Sequence, residues 1–400
     1  MTKPWFRAAC ALFVIAWGGN HFTPLLHLYE VRFGYSEVMV DVFLGTYVAG
    51  LIPGLLLGGA LSDRHGRRPV VLAGVLLSVL ASAILGPGSS SAVAMCLGRC
   101  LAGASVGIAM SVGSSWVKEL TVLERVPGRP AWKQASAGAR RPALALTLGF
   151  GLGAGVSGSI AQWGPLPSLL PYAVHVVLGL LALVSALRVP ETVRSDRAVP
   201  RTRLLDDLRV PLAGHRRFLR VVLPAAPWVF ATAGIGYAVI PLLQAPHLGQ
   251  WTLAYATGLT VLTLGVGAVV QPFVPKIDVA TGGRASVVGL LAMSFGMLLA
   301  AGSAVLGSPW LGALAAAVLG AAYGTTLVSG LMEVQVIAGP ADLAGLTGVY
   351  YSLSYVGFLL PIVLASLAPA FSYPVMLLGV TVLCLGCLGV LSWGLRSASR

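Results

Sequence analysis

The chain has 400 residues, of which 57% are hydrophobic and only 10% charged, and no water-soluble domain of this length hides so much apolar side chain. A soluble globular protein is thereby excluded. The net charge of +13 would point to nucleic acid in a soluble chain, but its distribution reports membrane topology instead.

Apolar windows of about 20 residues, enough to cross a hydrocarbon core about 30 Å thick, recur twelve times. They cover residues 7–28, 39–61, 70–86, 93–116, 143–162, 169–188, 218–240, 250–274, 285–304, 310–332, 343–366 and 373–394. Lipid offers no partner to backbone N–H and C=O groups, and these runs lack the period-2 alternation of a membrane barrel. The predicted fold class is all-α, a polytopic membrane protein of twelve transmembrane helices.

The first window follows Lys3 and Arg7 and is too long for a signal peptide, so it reads as a retained helix. Its middle carries Asn20 and His21 between Gly18–Gly19 and Pro24, a distorted segment of the kind that marks transport sites. Tyr29 and Tyr35 read as interfacial belt residues. Asp41 stands a turn inside the second window, and with His21 it is a candidate proton-coupling group, since the centres of the windows hold no carboxylate. Arg99 alone among the basic residues lies well inside a window. It reads as a substrate-binding or coupling group, or as a helix–helix hydrogen-bond donor.

The glycines Gly149, Gly153 and Gly158 of the fifth window permit close packing of a neighbouring helix. Tyr237 and Gln244 occupy the seventh window, and Tyr350, Tyr351 and Tyr355 the eleventh, with Tyr351 and Tyr355 on one face. Rings with isolated hydrogen bonders suit an amphipathic ligand; packing is the plainer reading. Cys384 and Cys387 form a CxxC at bilayer depth and read as packing residues.

Assigning the connections alternately to two sides places 24 of the 26 Lys and Arg on one side, leaving Arg32 opposite and Arg99 within a window. By the positive-inside rule both termini are cytoplasmic. The segment between windows ten and eleven, "EVQVIAGPADLAG", is an exception: it carries Glu333 and Asp342 and no basic residue. Asp342 is expected to pair with Arg64, Arg67 or Arg68 as a gate, or to cap its own helix.

The longest polar stretch, residues 188–217, divides the chain six plus six: an N-terminal bundle 1–190, a linker 191–217 and a C-terminal bundle 218–400. Internal repetition supports the division. "GNHFTPLLH" from Gly19 and "GYAVIPLLQ" from Gly236 are 217 residues apart, and Asp63 and Asp278 are 215 apart.

Between windows two and three stands "GGALSDRHGRRP". With Gly59, Asp63, Arg64, Gly66, Arg67 and Arg68 in place, it resembles the signature loop of the major facilitator superfamily. "LGRCLAGASVG" is similar to that family's second motif through Arg99 and Gly103. "GFGLGAGVSG" is similar to the antiporter motif of its drug-exporting branches, with Ala154 in place of the proline and Ser157 in place of a glycine. "VPET" at Val189 to Thr192 resembles the usual end of the sixth helix.

The resemblance implies two pseudo-symmetric six-helix bundles and alternating-access export of a small organic or drug-like molecule in exchange for protons. It further implies a monomer in the plasma membrane. The sequence calls for no cofactor, metal or nucleic acid. No ATPase phosphate loop and no clustered catalytic set is present, so an enzyme is not expected. The alternatives are an uptake carrier or facilitator for a metabolite or sugar, and a non-transporting receptor.

Overall fold

Apolar runs in lipid close their backbone hydrogen bonds within themselves, and the computed structural model is 87% helix, with no strand among the described residues. It describes residues 3–124, 131–193, 210–339 and 342–398. Arg125, Arg129 and the arginines between 194 and 209 lie outside the described residues, as do the side chains of Asp41 and Lys133.

In chain order the helices are α1 (Pro4–Asn20), α2 (Leu26–Phe33), α3 (Glu37–His65), α4 (Arg67–Leu85), α5 (Ala92–Leu123), α6 (Ala131–Trp163) and α7 (Leu170–Ala186). There follow α8 (Phe218–His247), α9 (Gly249–Ala280), α10 (Ala285–Leu306), α11 (Pro309–Ile337), α12 (Leu343–Val356), α13 (Leu359–Leu367) and α14 (Tyr373–Ala398). Ten spans among the described residues are long and apolar enough to cross a membrane, α12 and α13 together forming one of them.

The other two expected spans are shorter. α1 and α7 have 17 residues each, about 26 Å at 1.5 Å per residue, which is the lower limit for crossing. In α1 the cause is Pro24, which lacks the N–H that would bond the Asn20 carbonyl. The chain passes through a 3₁₀ turn, Thr23–Leu25, before α2 continues it. The window 343–366 is broken for the same reason. Pro361 cannot donate to Gly357, and the Gly357 N–H bonds the Ser354 carbonyl at 3.1 Å.

Two compact units make up the chain: Met1–Pro211 with Ala338–Val349, and Leu212–Ile337 with Tyr350–Arg400. In the first, α3 and α5 meet backbone to backbone. A Cβ on Gly103 or Gly107 would overlap the carbonyl of Tyr47 or Leu51, and one on Gly50 or Gly54 that of Cys100 or Ala104. Small residues let helices approach this closely in lipid.

The second unit repeats the joint. Gly320 and Gly324 of α11 face the carbonyls of Thr263 and Gly267 of α9. Gly103 maps to Gly320 and Gly107 to Gly324 at a spacing of 217, matching the spacing of the first and seventh windows. The same packing solution thus occurs at corresponding places in both units.

Candidate functional site

The connection from α3 to α4 is a single residue. Gly66 has φ +96°, where side chains are strained, and a Cβ there would collide with the Glu191 carboxylate. Glu191 accepts the backbone N–H groups of Arg67 and Arg68 at 2.9 Å each, satisfying donors that a helix N-terminus leaves open. The Arg67 guanidinium is 2% exposed and donates to Ser62, to Asp63 and, at 3.3 Å, to Glu119. Thr192 donates to the second oxygen of Glu119, Arg68 to the Leu187 carbonyl, and Trp116 to the Pro190 carbonyl at 3.2 Å. Gly59 is buried, its carbonyl accepting from Ser62 at 2.9 Å, and Arg64 is half-buried.

The loop, the end of α5 and the segment after α7 therefore form one polar network. Asp63 serves as an acceptor for its neighbour Arg67, and the helix N-terminus falls to Glu191. Replacing Glu191 by alanine is expected to cost about 1 kcal/mol, as for loss of a helix cap. Thermal unfolding in detergent checks this, and an unchanged transition would show that the cap is dispensable.

Arg99 is likewise 2% exposed. Its Nε donates to the Phe43 carbonyl and its Nη1 to the Gly19 carbonyl, both at 3.4 Å. Its guanidinium lies 4.3 Å from the ring centroids of both Phe22 and Tyr47. Two carbonyls and two ring faces offset an insertion cost of roughly 2.5–3.5 kcal/mol.

Asn20 and His21 belong to the same buried neighbourhood. Asn20 donates to the Phe150 carbonyl at 3.0 Å and accepts from Thr23 at 2.8 Å, tying the end of α1 to α6. His21 packs against Tyr172 and His175 of α7. Tyr29, expected at the membrane interface, is instead wholly buried with its hydroxyl bonded to that of Tyr172, because α2 packs it among Phe22, Phe43 and Met95 of its own unit. On α6, Gly149 and Gly153 lie against the Phe13 and Trp17 carbonyls of α1. Ala154 and Gly158 are buried, and Ser157 donates to the His21 carbonyl.

In the second unit Tyr237 sits in a π turn of α8, Ile235–Val239, a feature frequent at functional sites. It joins an aromatic cluster with Phe230, Tyr323, Tyr355 and Phe358. Phe230 and Phe358 stack at 4.9 Å, Tyr355 lies 4.4 Å from Phe230, and Tyr237 lies 6.5 Å from Phe358.

The other expected residues of this unit hold helices together. Gln244 donates to the Ser303 carbonyl at 3.0 Å, and Tyr350 to the carbonyls of Thr326 and Leu327 at 3.3 and 3.1 Å. Tyr351 is wholly buried beside Tyr350. Glu333 takes a two-pronged ion pair from Arg217. Asp342 is exposed, directly before α12, and its carboxylate has no ion-pair partner among the described residues.

Comparison with known families decides what these units compose. The profile of the Major Facilitator Superfamily matches residues 8–362. The chain belongs to that superfamily. It is accordingly a multi-pass membrane protein of a family whose members are transporters and not enzymes. Among curated relatives, it is 33% identical over 107 residues to the probable transporter AQR1 of Saccharomyces cerevisiae, which is 26% of this chain and 18% of that protein. It is 34% identical over the same length to the multidrug transporter AQR1 of Candida glabrata. To the multidrug resistance protein MdtL of Shewanella oneidensis it is 41% identical over 51 residues, 13% of each chain. These matches therefore span less than a fifth of the relatives' length. The crystal structure of the human organic anion transporter MFSD10 has the same fold, with a TM-score of 0.73 at 19% identity over 97% of this chain and 98% of that one.

Proposed function

We propose that this major facilitator exports a small, amphipathic organic molecule in exchange for protons, by alternating access, across the plasma membrane with both termini cytoplasmic. The aromatic cluster of Phe230, Tyr237, Tyr323, Tyr355 and Phe358 carries this reading: ring faces bordered by hydroxyls bind flat, partly apolar compounds without demanding one pattern of hydrogen bonds. The multidrug transporters among its relatives support it, and the one-sided distribution of basic residues supports the orientation. In this reading the network from Gly59 to Arg68 keeps α3 and α4 moving as a unit, while Asp342 is the acid available to Arg64 or Arg68 in another conformation.

An organic anion is the second reading for the substrate, favoured by the buried guanidinium of Arg99. Cells stripped of their own efflux pumps and expressing the protein separate the two. Ethidium should leave faster than from cells with empty vector, and Tyr355→Ala should slow that efflux several-fold. Unchanged ethidium retention together with faster loss of an anionic dye would select the anion reading. Retention of both dyes would count against export.

A further inference from the structure

His21 is wholly buried, and neither of its ring nitrogens has a hydrogen-bond partner among the described residues. Its neighbour His175, also wholly buried, is fully engaged. His175 Nε2 lies 3.0 Å from the Val14 carbonyl and 3.4 Å from Ser78 Oγ, and Nδ1 lies 2.8 Å from Ser82 Oγ. A carbonyl only accepts, so Nε2 carries the hydrogen, and in the neutral ring Nδ1 accepts from the Ser82 hydroxyl. The two imidazoles pack nearly perpendicular with centroids 5.0 Å apart, and His21 packs in the same manner on Tyr172 at 4.7 Å.

The titratable and charged groups facing this pair come from three helices. Arg99 of α5 donates to the Gly19 carbonyl two residues before His21. Tyr172 comes from α7, and Tyr29 of α2 is hydrogen-bonded to it. α4 and α6 present only hydroxyls at the contacts described, Ser78 and Ser82 to His175 and Ser157 to the His21 carbonyl.

We infer that His21 is the proton-binding group of this carrier and that His175 positions it; the inference rests on the proton-exchange reading above. Burying an imidazole with both nitrogens unsatisfied is unfavourable, a cost that an apolar ring filling the same space would not carry. A proton added to the pair goes to the free lone pair of His21, because the corresponding lone pair of His175 already accepts from Ser82. Burial opposes the imidazolium so formed, as does the neighbouring Arg99 charge, while contact with the Tyr172 ring favours it. A proton held on that balance leaves when another cation approaches and stays when an anion does. That is the sign required for exchange of protons against a cationic substrate. Only the N–H bond is made and broken: the proton arrives from water on one side of the membrane and departs to water on the other.

Ring-¹⁵N-histidine labelling of the full chain in lipid nanodiscs tests this, with the resonances assigned through His21→Gln and His175→Gln. As the pH is lowered over the range the protein tolerates, His21 should gain a proton, Arg99→Gln should move its midpoint to higher pH, and His175→Phe should move it too. A merely structural role for His175 would leave the midpoint in place. A His21 ring that stays neutral through the whole range, or a midpoint that ignores Arg99→Gln, overturns the inference. Gradient-driven transport with a neutral His21 would sink this inference alone. A titrating His21 without gradient-driven transport would sink the exchange reading alone.

Discussion

Valine at Gly103, or at its counterpart Gly320, should prevent the protein from reaching a stable fold, while valine at Gly45 or Gly258 should leave unfolding unchanged. The difference is geometric. A Cβ at Gly103 would overlap the Tyr47 carbonyl and one at Gly320 the Thr263 carbonyl, whereas a Cβ at Gly45 or Gly258 meets nothing within 4 Å. Backbone cannot swing aside as a side chain can, so α5 must retreat from α3, or α11 from α9, with a loss beyond about 3 kcal/mol. All four are helical glycines and share the same change in helix propensity, which isolates the packing effect. Thermal unfolding followed by tryptophan fluorescence in detergent, with yield of monodisperse protein as the second reading, checks the set. A Gly103→Val protein that unfolds with wild type would refute the close joint between α3 and α5.

Arg67→Ala should have the second largest effect on stability, roughly 3 kcal/mol. The buried guanidinium satisfies Ser62, Asp63 and Glu119 together, and its removal leaves two carboxylates at the end of the bundle without their shared cation. Arg67→Lys should recover only part of the loss, because an ammonium is a point charge and cannot present Nε and Nη1 to acceptors on two different helices. The same unfolding measurement applies. Equal stability of the wild-type, alanine and lysine proteins would show that charge and fork geometry contribute nothing here.

Much of this architecture was legible in the chain because lipid is a strict solvent. Twelve apolar windows, a basic bias and a repeat of 217 residues imply an all-helical membrane fold. The ends of the helices were less legible. The breaks at Pro24 and Pro361 follow from a missing N–H four residues after a carbonyl, a local rule that a hydropathy window averages away.

The site divided along similar lines. Arg99 stood out as a cation in an apolar run, and Tyr237 and Tyr355 as polar rings, but Phe230 and Phe358 have no polar atom to distinguish them from ordinary core. Glu191 was visible only as a letter in "VPET", and Glu119 carried no signal of its own near the end of α5. What joins both acids to Arg67 is proximity across 52 and 124 residues of chain, which periodicity cannot report. Burial of Tyr29 was missed because its position relative to the apolar window suited an interfacial ring equally well.

Exchange of the organic substrate for protons is tested most directly by transport into proteoliposomes with an imposed pH gradient, read with a cationic probe. Purified protein in acid-interior vesicles should accumulate tetraphenylphosphonium above the level of protein-free vesicles, and nigericin should abolish the excess by collapsing the gradient. Accumulation that is the same with and without the gradient would contradict proton exchange, leaving a major facilitator that moves its substrate by some other coupling.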